Sequence, residues 1–111
     1  MDKIKFITIE QLLEMIENNE KFKLVEVLSE ENFKQGHIPN AINLPVDKLK
    51  EIAGKHLKKD EVIVVYCMSY VCHASTKASE ILLNLGFKNI LDYKAGKQGW
   101  INNGLELEKS A

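Results

Sequence analysis

The sequence contains no arginine: all fifteen basic residues are lysines, set against sixteen acids for a formal net charge of −1. Lysine carries charge but offers no planar fork, so bidentate recognition of phosphate or sulfate by guanidinium is excluded. The charges are spread along the chain, with no basic stripe for nucleic acid and no polybasic run for a membrane surface. Cysteine is scarce as well. Cys67 and Cys72 are too few and too close for the disulfide framework of a small secreted domain, and their spacing is not that of a zinc site. A reducing, cytoplasmic setting is therefore expected, with no metal and no cofactor. Long apolar runs are missing too. Val62 to Tyr66, the longest, is far too short to span a bilayer, and Met1-Asp2-Lys3-Ile4-Lys5-Phe6 lacks the apolar core of a signal peptide.

What is present is a chain of 111 residues, 45% of them apolar, enough for one core and too small for two. A single domain over residues 1–111, acting as a monomer, is the expectation.

The most informative stretch runs from Val62 to Leu85. Val62 to Tyr66 is continuous, apolar and rich in β-branched residues, as in a strand buried on both faces of a mostly parallel sheet. From Ala74 the small and apolar residues Ala74, Ala78, Ile81, Leu82 and Leu85 fall on one helical stripe. Cys67 opens the loop between strand and helix. Ligands of open α/β sheets bind beyond the carboxyl ends of strands, where helix N-termini present free N–H groups. A cysteine there is expected to have a lowered pKa and to act as a nucleophile.

Along the rest of the chain, Lys5 to Ile7 reads as a strand, and Thr8 with Gln11 forms a capping box for a helix through about Asn18. Lys23 to Val27 is a second buried strand, holding one acid, Glu26. Glu30 to Gln35 is a helical turn stopped by Gly36. Ala41 to Leu44 is a short strand ended by Pro45, and Asp47 to Leu57 a helix weakened or ended by Gly54. Asn89 to Tyr93 is a fifth strand. Gly96 and Gly99 flank a flexible turn, Trp100 to Asn103 forms a last helical turn, and Leu105 to Ala111 is a tail. The alternation predicts an α/β fold: a mainly parallel sheet of about five strands with helices on both faces.

Four stretches resemble the single-domain rhodanese-like family, a sulfurtransferase fold. They are Leu24-Val25-Glu26-Val27, Gly36-His37-Ile38-Pro39-Asn40-Ala41-Ile42-Asn43-Leu44-Pro45, Val64-Val65-Tyr66-Cys67, and Leu85-Gly86-Phe87 followed by Gly96 to Trp100. The second is the most specific. The resemblance implies that Cys67 takes a sulfane sulfur from a small donor such as thiosulfate or a persulfide. Cys67 would hold it as a persulfide and pass it to a thiol or protein acceptor. Met68, Ser69, Tyr70, Val71, Cys72 and His73 would surround the substrate, their backbone N–H groups converging on the Cys67 sulfur, and Glu26 would support the loop.

Three departures qualify the likeness. The loop is longer than the family's Cys-x-x-Gly-x-Arg, suggesting a wider pocket. Its arginine is missing, with His73 or Lys77 the nearest substitutes, which makes thiosulfate a poor donor. The second strand keeps an acid, Glu26, without the family's arginine two positions on.

The other readings carry different chemistry. Cys67 as an inert buried thiol is the bland one; Cys72 either fills space or attacks a persulfide on Cys67 to form an intraloop disulfide. His73 stands where a Cys-x5-Arg phosphatase has its arginine, yet phosphoryl transfer in such a loop relies on guanidinium contacts, absent here. His37 is expected to make a structural hydrogen bond, His56 to lie on the surface and Trp100 to pack in the core. A catalytically altered sulfur-carrier or regulatory module, or a thiol redox module using Cys67 and Cys72, is the alternative to an enzyme.

Overall fold

The computed structural model describes residues 4–110; residues 1–3 and 111 of the expected single domain, including the first residues of the N-terminal reading and the last of the tail, lie outside them. Five parallel strands form one sheet in the order β1-β5-β4-β2-β3, with β1 Lys5–Ile7, β2 Lys23–Glu26, β3 Ile42–Asn43, β4 Val62–Tyr66 and β5 Asn89–Tyr93. Five helices connect and cover them: α1 Ile9–Glu17, α2 Glu30–Gln35, α3 Leu49–His56, α4 Ala74–Asn84 and α5 Gly96–Asn102. The α/β expectation, with a five-stranded parallel sheet, holds.

β4 is central, and its side chains alternate between two cores. Ile63, Val65 and Cys67 enter one, with Val25, Leu49, Ala53, Ala78, Leu82 and Phe87 from β2, α3, α4 and the turn after α4. Val64 and Tyr66 enter the other, with Ile9, Leu12, Leu24, Tyr93 and Trp100. Helices therefore cover both faces, and the continuous apolar run of β4 follows from its having no solvent side.

The local signals act as expected in several places. Thr8 caps α1 through a full capping box: Gln11 N–H donates to Thr8 Oγ1 at 3.1 Å and Thr8 N–H to Gln11 Oε1 at 2.8 Å. Gly86, with φ +96°, follows the C-cap of α4 in the left-handed conformation that glycine favours. Trp100 is buried, His56 is exposed, and His37 Nδ1 lies 2.9 Å from Phe33 O in a structural contact.

Elsewhere the structure differs. β3 spans two residues rather than four, and β2 ends at Glu26, although Val27 N–H still donates to Tyr66 O at 3.1 Å. α3 begins at Leu49 and runs through Gly54, because that glycine faces open space and its lower helix propensity is outweighed by burial of Leu49 and Ala53. Gly96 and Gly99 belong to the helix α5 instead of flanking a flexible turn. The tail doubles back: His37 and Glu108 exchange two backbone hydrogen bonds of 2.8 Å, and Trp100 Nε1 donates to Glu106 O at 3.0 Å.

Candidate active site

Cys67 leaves the carboxyl end of β4 directly into the core, with 0% of its surface exposed. Its carbonyl and that of Met68 are held by α5: Lys97 N–H donates to Cys67 O at 3.1 Å and Gln98 N–H to Met68 O at 2.9 Å. This contact explains Gly96. Its φ is +61°, and a Cβ there would stand 2.4 Å from Cys67 O, so a side chain would push the loop off the helix.

Lys97 also supplies the cation that the arginine-free sequence otherwise lacks beneath the loop. Its side chain is 5% exposed, and its ammonium lies 3.0 Å from Glu26 Oε2, which receives no aligned hydrogen bond and is answered by that ion pair. Lys97 Nζ also donates to Asn32 O at 2.9 Å. Tyr66 donates to Glu26 Oε1 at 2.8 Å and accepts from Ile38 N–H at 3.0 Å. Burial pushes the Glu26 carboxyl up, opposed by Lys97 and Tyr66; burial and the Glu26 charge push Tyr66 up too. Glu26 is thus joined to the base of the loop through a partner on α5, Lys97, whose N–H bonds the Cys67 carbonyl. Sequence reasoning missed Lys97, whose only signal is its place between two glycines before Trp100.

Above this base the loop turns over at residues 69–72, where Cys72 N–H donates to Ser69 O at 3.1 Å. Met68, Tyr70 and Val71 point outward, Val71 with 84% of its surface exposed, and His73 is exposed at the N-cap of α4 without a side-chain capping bond. Lys77 is exposed too. Beneath the turn Cys67 stays fully buried. Ser69, Tyr70 and Val71 instead border a shallow 190 Å³ hollow with Ala95, Gln98, Gly99 and Asn102.

The two cysteines are unbridged, and Cys72 packs against the core cluster that holds Cys67. Cys67 Sγ also lies 3.5 Å from Cys72 O. The expected lowering of the Cys67 pKa is reversed. Burial, followed by the neighbouring Cys72, pushes the Cys67 thiol up, and the N–H and hydroxyl of Ser75 at the start of α4 offset only part of that. The Ser75 hydroxyl is buried and has no hydrogen-bond partner among the described residues. Cys72 moves the other way. Half-buried, it bears a smaller desolvation cost, which is outweighed by the Cys67 thiol, the N–H groups of Met68 and Ala74, and the charge of Lys94. Lys94 Nζ donates to Cys72 O at 2.6 Å. The loop N–H groups at Met68 and Ala74 therefore favour the thiolate of Cys72, and the acidified sulfur is the outer one. Lys94 is a second residue that sequence reading passed over, since nothing local marks a lysine at the end of β5 as facing the loop.

Comparison with known proteins places this geometry. The Rhodanese-like domain family matches residues 8–103. A sulfurtransferase of Allochromatium vinosum is 30% identical over 98 residues, covering 88% of this chain and 89% of the relative. A protein of Schizosaccharomyces pombe is 36% identical over 89 residues, of whose length the chain spans 61%. The crystal structure of the BH2092 protein from Bacillus halodurans superposes with a TM-score of 0.87 at 32% identity, over 95% of this chain and 77% of the other. With a strand-end cysteine under a loop and helix in a five-stranded parallel sheet, and with the match extending over most of its length, the chain belongs to the rhodanese-like domain family.

Proposed function

We propose that the protein is a sulfurtransferase that carries a sulfane sulfur as a persulfide on Cys67 and passes it to a nucleophilic thiol, free or on a protein. The observation that carries this reading is the placement of Cys67 at the carboxyl end of the central strand, packed with Ala74 and Ala78 of the first turns of α4. In the loading step the Cys67 thiolate attacks the outer sulfur of a donor. A new S–S bond forms as the donor's own S–S bond breaks, and the remainder leaves with the electron pair as a thiolate or, from thiosulfate, as sulfite. The donors at Ser75 oppose the cost of charge on the buried sulfur. The overlying turn shields the loaded persulfide from bulk nucleophiles.

The same reading assigns the donor class. The cations nearest the loop surface are lysines, and no fixed guanidinium is available to hold a dianion, so a low-molecular-weight persulfide is a better donor than thiosulfate. The apolar side chains of Met68, Tyr70 and Val71 at the rim favour an organic donor or acceptor. A monomer in a reducing, cytoplasmic setting, where both thiols stay free, completes the proposal; no helix among the described residues is long and apolar enough to cross a membrane. Steady-state transfer from glutathione persulfide to a thiol acceptor tests it. Turnover should exceed that with thiosulfate and be lost in Cys67→Ser; turnover retained in Cys67→Ser would overturn it.

A further inference from the structure

Cys72 has no task in the transfer just described, yet every contact it makes suits a nucleophile. It packs against the core cluster that holds Cys67, whose sulfur lies 3.5 Å from the Cys72 carbonyl oxygen, and it is itself only half-buried. Its carbonyl is held by Lys94 Nζ at 2.6 Å, and its own N–H closes the turn onto Ser69 O at 3.1 Å. These two bonds fix the backbone on either side of the sulfur. A residue that merely filled space at the start of α4 would need neither a cation nor a neighbouring thiol.

We propose that Cys72 is the resolving thiol of this site, attacking the loaded Cys67 to release the carried sulfur as hydrosulfide and close a Cys67–Cys72 disulfide. This rests on the Cys67 persulfide reading. The Cys72 thiolate attacks Cys67 Sγ, the inner sulfur of the persulfide. The Sγ–Sγ bond forms, the bond from Cys67 Sγ to the sulfane sulfur breaks, and HS⁻ leaves with the electron pair. The sulfane sulfur is reduced to sulfide and the two thiols are oxidised to one disulfide. A dithiol reductant restores the pair by ordinary exchange.

Once Cys67 is loaded its Sγ has no proton to donate, and the groups that still favour the Cys72 thiolate are the N–H groups of Met68 and Ala74 and the charge of Lys94. The site would then act in two modes. With an acceptor thiol in competition, the sulfur is transferred; without one, each chain fires once and locks.

The test uses the full chain, fully reduced and freed of reductant, treated with glutathione persulfide and desalted, with free sulfide and intact mass followed in time. Wild type should gain the mass of one sulfur atom, then lose it with release of one equivalent of sulfide per chain, ending two hydrogens lighter than the starting protein. Addition of dithiothreitol should return the starting mass. Cys72→Ser and Cys72→Ala should gain the sulfur atom and retain it, with sulfide release falling to background. Lys94→Gln should slow release several-fold at neutral pH while the sulfur still loads.

The inference is overturned if Cys72→Ser releases sulfide at the wild-type rate, or if wild type retains its extra sulfur without forming the disulfide. Failure of Cys72→Ser and Cys72→Ala to take up any sulfur, in samples whose melting matches wild type, would instead overturn the persulfide reading beneath it.

Discussion

The base of the Cys67 loop and its crown are built on opposite terms. At the base, Cys67 and its carbonyl are gripped by β4, by the N-terminus of α5 and, through Lys97, by a buried Glu26–Tyr66 network that reaches Asn32 and Ile38. At the crown, residues 68–73 turn back with one backbone bond across the turn and one from Lys94, while Tyr70 and Val71 stand in solvent. The base fixes one sulfur against the core and raises its pKa; the crown carries the second sulfur over it with a lowered pKa. The two thiols sit a few residues apart, and burial separates their chemistry.

The sharpest way to break the base is Lys97→Met. It leaves Glu26 buried with one partner, and removal of one member of a buried pair costs about 3–5 kcal/mol. Urea unfolding should show a loss of this size, together with weakened sulfur transfer as the loop loses its anchor. A change no larger than that of a surface substitution would show that the network does not support the base.

Gly96→Ala attacks the same contact sterically. The left-handed φ of +61° costs about 1–3 kcal/mol in a non-glycine residue, and the new Cβ overlaps Cys67 O. Stability should fall by at least that much, and sulfur loading should fall with it, because relief of the overlap moves Cys67. Unchanged loading would mean that α5 does not set the position of the thiol.

The two thiols are compared in the wild-type protein by alkylation against pH, with the modified Cys67 and Cys72 followed separately by peptide mass spectrometry. The thiolate is the reacting form, so a lowered pKa places the rise of the rate at lower pH and a raised one at higher pH. Cys72, beside Cys67 and Lys94, should react at lower pH than a free cysteine, and Cys67 at higher pH and more slowly. Equal profiles would remove the distinction between base and crown. The smallest effect belongs to Val71→Ala, at the most exposed point of the crown. It should change stability by no more than about 0.5 kcal/mol, measured by the same unfolding experiment, and a larger loss would mean that the crown is packed.

The ease with which each region is read from sequence follows the same division. β4, its cysteine and α4 were legible because buried-strand and amphipathic-helix periodicities are local, and Thr8 with Gln11 marked the start of α1 by side chains that bond their own backbone. α5 was not. Gly96 and Gly99 look like helix breakers in sequence, whereas here they are small because Cys67 O, Ala95 and Tyr93 crowd them. The buried role of Lys97 could not be read either, since its carboxylate partner is on β2, far away in the chain. The reversed acidity of the cysteines has the same origin. The position of a cysteine at a strand end predicts nearby N–H donors, but the folding of the crown decides which sulfur they reach and which is desolvated.

The central claim is that Cys67 holds the sulfur, and it is tested most directly by locating that sulfur. Cys72→Ser, treated with glutathione persulfide, trapped with an alkylating reagent and digested, should carry the mass of one extra sulfur atom on the peptide containing Cys67, and Cys67→Ser should carry none on Cys72. Extra sulfur on Cys72 in the Cys67→Ser protein, or none on Cys67 when Cys72 is absent, would contradict it.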